Sequence, residues 1–326
     1  MKEEDIRKRS TLNRYLELVR EDAARLIRDA SGFHRTACPA CAGNDLAPQF
    51  EKYGFHYEQC RECETLFVNP RPKYEDLMRI YIDSPSTRYW VTEFFLPMAE
   101  ARREVIFKPR AQFVAERFPE VRSGRTADIG AGFGLFLEEL KILWPGSDVV
   151  AIEPSVDMAG ICRSKGLTVI EESLEDVGNA EGFDLMTAFE LFEHLHNPVP
   201  FVTRVHELLK PGGFFFLTTL NGLGFDIQVL WEGSKSIFPP NHLNFFNPGS
   251  MATFLEKRGF SVIEVATPGQ LDWDIVEGLY RDEGVDPGRF FSTIARHGTE
   301  DAKQGFQEWI RRNNFSSHMR IIARKV

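Results

Sequence analysis

Four of the five cysteines stand as Cys38-x2-Cys41 and Cys60-x2-Cys63, with eighteen residues between the pairs. One tight turn can present each pair of thiolates, and two such turns supply the four soft ligands of a closed tetrahedral zinc site. Two disulfides are the competing arrangement. They are disfavoured by the charged N-terminus MKEEDIRKRS, which lacks the apolar core of an export signal. Cys162 falls on an amphipathic helical stretch and reads as plain core.

A second set of residues lies in Arg125 to Leu140, RTADIGAGFGLFLEEL. Gly130, Gly132 and Gly134 alternate there, and Asp128 stands just before them. Alternate glycines allow a tight turn and let a ligand lie against the main chain, while the helix that follows offers its free N–H groups. A dinucleotide fingerprint would need its third glycine where Leu135 stands, and no lysine followed by Ser or Thr forms a phosphate loop. Nineteen residues after Gly134 the stretch DVVAIEPS ends in Glu153, a carboxylate able to accept both hydroxyls of a ribose. The pattern suits a nucleoside without a pyrophosphate.

These residues require a particular frame. Segments 126–130, 148–153, 167–170, 183–189 and 213–220 read as strands alternating with helices, which predicts a parallel sheet covered on both faces. Asn197-Pro198 and Asn247-Pro248 are helix starts, and Pro211-Gly212-Gly213 is a stop. Before the cysteines, Leu12, Tyr15, Leu16, Val19, Leu26 and Ile27 recur at helical spacing and need a partner surface. FHYEQC and TLFVNPRP read as short strands of a zinc ribbon, and 74–118 reads as helical and rich in aromatics. The 221–246 connection shows no helix, and 267–317 shows two, on Leu271, Ile275, Val276, Leu279, Tyr280 and on Ala302, Phe306, Trp309, Ile310.

At this point the chain resembles the class I S-adenosylmethionine (SAM) dependent methyltransferases, whose first motif is acid-x-Gly-x-Gly-x-Gly and whose second strand ends in an acid. FDLMTAFELFEHL, LLKPGGFFFLTTLN and RIIARKV match their later strands, so the resemblance spans roughly 126–326. It extends to small-molecule methyltransferases with a four-cysteine ribbon followed by an Asn-Pro-Arg-Pro turn. It implies a doubly wound, seven-stranded Rossmann-like α/β sheet with an N-terminal zinc ribbon and a helical cap. The implied domains are 1–72 (helix and ribbon), 73–120 (cap) and 121–326 (methyltransferase, with a lid insertion at about 268–316). The implied SAM contacts are Asp128, Gly130, Ala131, Gly132, Phe133 and Gly134 on the loop, and Glu153 and Pro154 after the second strand. Ser173 and Leu174 follow the third strand, and Phe189 and Glu190 the fourth.

Ligands of open α/β sheets bind outside the carboxyl ends of the strands, which directs attention to Phe189 to His196. SAM is already an activated electrophile, so the enzyme must align a nucleophile and remove its proton. His194 is the leading base because histidine ordinarily titrates near neutrality. Glu190, Glu193 and His194 share a face if 190–194 is one helical turn. That triplet resembles the divalent-ion site of ubiquinone-pathway O-methyltransferases and of small-RNA 2′-O-methyltransferases, where a further distant histidine joins; His242 stands in that place. Base, metal ligand and structural readings all stay open.

Composition narrows the partners. The 326 residues are 43% hydrophobic and 27% charged, ordinary for a globular protein, and the net charge of −9 disfavours the phosphate backbone of nucleic acid. No apolar run approaches a membrane span. The expectation is a cytoplasmic, SAM-dependent methyltransferase of a small hydroxylated metabolite. A ribosomal RNA base methyltransferase and a non-catalytic SAM-binding or zinc-ribbon adaptor are the alternatives.

Overall fold

The computed structural model describes residues 3–178 and 182–326; Met1, Lys2, Asn179, Ala180 and Glu181 lie outside the described residues. The strands are β1 (Leu46–Lys52), β2 (Phe55–Cys60), β3 (Leu66–Val68), β4 (Arg125–Ile129), β5 (Asp148–Ile152), β6 (Thr168–Ile170), β7 (Phe183–Phe189), β8 (Leu209–Leu220), β9 (Asn244–Phe245), β10 (Phe260–Ala266) and β11 (His318–Lys325). The chain divides into two compact units. One comprises Met98–Thr218, Phe254–Val265 and Ile321–Val326; the other comprises Met1–Pro97, Thr219–Thr253 and Ala266–Arg320.

The first unit is built on a seven-stranded sheet of order β10-β11-β8-β7-β4-β5-β6. The pairings β4 with β5, β4 with β7, β5 with β6 and β7 with β8 are all parallel, as the strand-helix alternation requires. Parallel strands covered on both faces are buried almost end to end, and Thr126 to Ile129 and Val149 to Ile152 are. Helix Leu135–Leu143 lays Phe136, Leu137 and Leu140 into a core with Trp144, Val149 and Phe216. Asn197 caps helix Pro198–Leu208 by accepting the Val199 N–H at 3.0 Å. This places the glycine turn and the ends of β4, β5 and β7 at one edge of the sheet.

In the second unit a four-stranded sheet of order β1-β2-β3-β9 forms the ribbon. The helix Arg9–Ile27 finds two partners. Ala23 joins the ribbon core of Phe55, Tyr57, Leu66, Val68 and Phe245, while Leu12, Tyr15, Leu16 and Val19 pack with Phe94, Trp90 and Phe238. The 221–246 stretch holds the short helix Phe225–Leu230 as well as β9, neither of which its polar, proline-bearing sequence announces. The 267–317 stretch holds three helices, not two: Asp272–Asp282, Arg289–His297 and Glu300–Arg312. The additional one, Arg289–His297, packs Phe291 in a stack on Trp273, with ring centroids 4.3 Å apart. Among the described residues no helix is long and apolar enough to cross a membrane.

Candidate active site and metal centre

The glycine turn leaves β4 with Gly130, Gly132 and Gly134 all left-handed, at φ +67°, +55° and +69°. L-residues with side chains pay to adopt that conformation, which explains the residue type three times over. Two of the glycines differ in what surrounds them. A Cβ on Gly134 would come within 2.6 Å of Leu167 Cδ1 and 3.0 Å of Cys162 Sγ, whereas a Cβ on Gly132 would meet nothing within 4 Å. Gly134 is small because it packs; Gly132 borders open space.

Glu153, at the end of β5, is buried and fastened to this turn. One carboxylate oxygen accepts the Gly132 N–H at 2.8 Å and the other accepts the Ser155 N–H at 2.9 Å. Burial pushes its pKa up and these two N–H groups hold it down. Each oxygen keeps a second lone pair for a further donor. From beneath, the Cys162 thiol donates to the Gly132 carbonyl at 3.2 Å, consistent with its reading as core.

At the ends of β4 and β7 three charges gather. Asp128 is buried and accepts the Thr187 hydroxyl at 2.6 Å; burial pushes its carboxyl up to about 7, against the pull of Thr187 and Arg110. Glu190 accepts the Thr218 hydroxyl at 2.6 Å. Arg110, on helix Lys108–Arg117, lies 3.8 Å from Glu190 Oε1 with its guanidinium 4.2 Å from the Phe189 ring centroid. Burial lowers the Arg110 pKa, opposed first by Glu190 and then by Asp128. Sequence reasoning missed Arg110. Nothing local distinguishes it from its neighbours Arg102, Arg103 and Arg117, because only the sheet brings it to the acids.

The expected helical face of Glu190, Glu193 and His194 does not form. Glu190 is left-handed at φ +51° and turns its carboxylate to Thr218, so the single turn Phe192–His194 starts only after Leu191. Glu190 belongs to none of the metal-competent clusters among the described residues. Glu193 is buried and His194 half-buried, with the His194 N–H on the Leu191 carbonyl at 3.0 Å. His242 lies in the second unit. Its Nδ1 is 2.6 Å from the Ser236 carbonyl, which can only accept, so Nδ1 carries the proton.

The remaining expected contacts are spread around the turn. Ala131 is half-buried and Phe133 buried, while Pro154 is exposed. Ser173 precedes the short turn Leu174–Asp176, and Leu174 is buried. Phe189 is held edge-on by Phe136 and Phe216, so it presents a fixed face to Arg110.

The four cysteines of the ribbon converge. Their sulfurs all lie within 4.8 Å of one another, with Cys38 to Cys63 and Cys41 to Cys60 both at 3.5 Å, and all are free thiols. Zinc–sulfur bonds of about 2.3 Å in a tetrahedron require sulfurs roughly 3.8 Å apart, so the set fits that ion. Both turns are built alike: the Ala42 N–H bonds the Cys38 carbonyl and the Glu64 N–H the Cys60 carbonyl, each at 2.9 Å, with Ala42 and Glu64 left-handed. The Cys63 thiol is pulled down to about 4 by its hydrogen bond with Cys38 and by Thr65, while Cys38 is pushed up by the same bond. A metal would displace the protons this arrangement holds.

Alternate glycines and terminal acids on a doubly wound, mostly parallel sheet define a class I SAM-dependent methyltransferase. A family model described as a methyltransferase domain matches residues 98–265, and the chain belongs to that family. The ubiquinone biosynthesis O-methyltransferase of Xanthomonas euvesicatoria pv. vesicatoria is 28% identical over 176 residues, 48% of this chain and 70% of that protein. The protein of the same name from Methylococcus capsulatus is 35% identical over 121 residues, 34% of this chain and 49% of that protein. Among solved structures, a SAM-dependent methyltransferase from Thermotoga maritima aligns with a TM-score of 0.43 at 17% identity, over 69% of this chain and 98% of that one.

Proposed function

We propose that the chain transfers the methyl group of SAM to an oxygen of a small hydroxylated molecule. The observation that carries the reading is the largely buried Arg110 beside Glu190 and Asp128, on the same sheet edge as the open Gly132 and the fastened Glu153. That edge offers a cation and two acids to an amino-acid zwitterion and a carboxylate to a diol, the two ends of SAM. The similarity to proteins named O-methyltransferases supports oxygen as the acceptor atom.

SAM supplies the methyl group already activated as a sulfonium. The chain's own residues then have three tasks. Glu153 holds the ribose hydroxyls, Arg110 pairs with the methionyl carboxylate, and Asp128 and Glu190 balance the ammonium. The other expected contacts, Gly130, Ala131, Phe133, Gly134, Pro154, Ser173, Leu174 and Phe189, shape the wall for sulfonium and adenine. His194 receives the proton of the acceptor hydroxyl, a step worth about 10² to 10⁴ in rate; Glu193 orients it and His242 is the second candidate base.

Cys38, Cys41, Cys60 and Cys63 hold a structural zinc. A divalent ion in catalysis would have to do without Glu190, which belongs to none of the metal-competent clusters among the described residues. The test is a mass-spectrometric screen of phenols, catechols and sugar hydroxyls with SAM. Gain of one methyl on oxygen supports the reading, and exclusive methylation of nitrogen or carbon, or none at all, overturns it.

A further inference from the structure

The ribbon is not finished by its own stretch of chain. Its fourth strand is β9, which pairs with β3 through Leu66 with Phe245 and Phe67 with Asn244. The ties continue along 242–247. The Tyr57 hydroxyl donates to the His242 carbonyl at 2.9 Å, the Val68 N–H to the Leu243 carbonyl at 2.9 Å, and Arg71 to Asn244 Oδ1 at 2.5 Å. The last tie reaches the metal centre itself: Asn247 Nδ2 donates to the carbonyl of Cys63 at 2.7 Å. The other end of the same amide caps the next helix, with Asn247 Oδ1 accepting the Ser250 N–H at 2.8 Å.

We propose that Asn247 is a positioning residue that couples the four-cysteine metal centre to the 242–250 segment, so that metal loading sets the order of the stretch carrying His242. The coupling rests on the metal reading of the four cysteines and is independent of the acceptor. Its chemistry is local. A loaded centre fixes the turn Cys60-Arg61-Glu62-Cys63 and therefore the direction of the Cys63 carbonyl. That carbonyl holds the Asn247 amide, and the amide fixes both the start of the following helix and the end of β9. Without metal the turn retains only its own backbone bonds, and the carbonyl is released to reorient.

Hydrogen exchange read by mass spectrometry tests this on the full chain, with zinc counted in the same samples. Stripping the metal under reducing conditions should speed exchange across 242–250 by about tenfold or more, while peptides covering 126–140 stay unchanged. Asn247→Asp keeps the oxygen that caps Ser250 and loses the donor to Cys63. With zinc still bound, it should show much of the same acceleration, and stripping it should then add little. A zinc-loaded Asn247→Asp that exchanges like the parent overturns the coupling, as does stripping that deprotects 126–140 equally. Protein purified without bound zinc overturns the metal reading and the coupling with it.

Discussion

The guanidinium of Arg110 lies over the Phe189 ring, 4.2 Å from its centre, and 3.8 Å from Glu190 Oε1. A cation stacked in this way is pre-aimed, so ligand binding need not order a long side chain. Arg110→Met should weaken SAM affinity by roughly 10- to 100-fold in calorimetry, the size of a lost charge-assisted contact. Arg110→Lys should fall between, because it keeps the charge and loses the planar fork. Equal affinities in all three proteins would remove Arg110 from the site.

Glu153 does two things at once, since it fastens Gly132 and Ser155 and offers lone pairs outward. Glu153→Gln should lose about tenfold in SAM affinity, having kept one acceptor oxygen, whereas Glu153→Ala should also lower the melting temperature by leaving the Gly132 and Ser155 N–H groups without this acceptor. Gly132→Val should abolish binding, combining a left-handed backbone with a side chain in the open space. The affinity of each variant, measured beside its thermal midpoint, separates the two contributions.

Metal analysis should find one zinc per chain. Cys38→Ser should lose it and lower the thermal midpoint, because a ribbon this small depends on its metal for folding energy. A variant that loses zinc with no change in midpoint would exclude a structural role.

His194→Ala should lose turnover by about 10² or more while keeping SAM affinity. A base must be neutral to accept a proton, so the parent's rate should rise with pH as the imidazole deprotonates, with no requirement for added divalent ion. His242→Ala distinguishes the second candidate. Full activity in both variants would leave alignment alone as the mechanism.

A pH dependence of stability follows from Asp226, which is buried and raised to about 7 first by burial and then by the charge of Asp272, against Ser317 and Arg7. The folded chain therefore keeps a proton that the unfolded chain has lost above the ordinary aspartate value of 3.8. Stability must fall as pH rises through that window. Asp226→Asn should raise the melting temperature little near pH 4 and most near pH 8. A residual slope should remain from Asp128, which is shifted in the same direction.

Much of this was legible in the chain. The cysteine spacing, the alternating glycines and Glu153 are local patterns with one economical physical reading each, and the structure brings each set together. What escaped depends on distant residues. Arg110 matters only because the sheet brings the ends of β4 and β7 to it, and β9 is two residues long, too short for any periodicity. Glu190 looked like the first residue of a turn by spacing alone. Its left-handed backbone is held by the Thr218 main-chain and side-chain bonds, which no window around Glu190 contains. The helix Arg289–His297 was hidden by Pro287 and Gly288 before it and by its own polar positions.

The borrowed fourth strand also governs how the protein can be made and cut. As the chain is synthesised, the cysteines emerge long before Asn244 and Phe245, and until those residues arrive β3 presents Leu66, Phe67 and Val68 along an open, apolar edge. A nascent or truncated chain ending before 244 therefore carries a template for pairing with its neighbours. Excision of 33–72 as a portable tag would expose the same edge, so a piece designed to stay monomeric must include the 244–247 stretch, joined to the ribbon by an engineered turn.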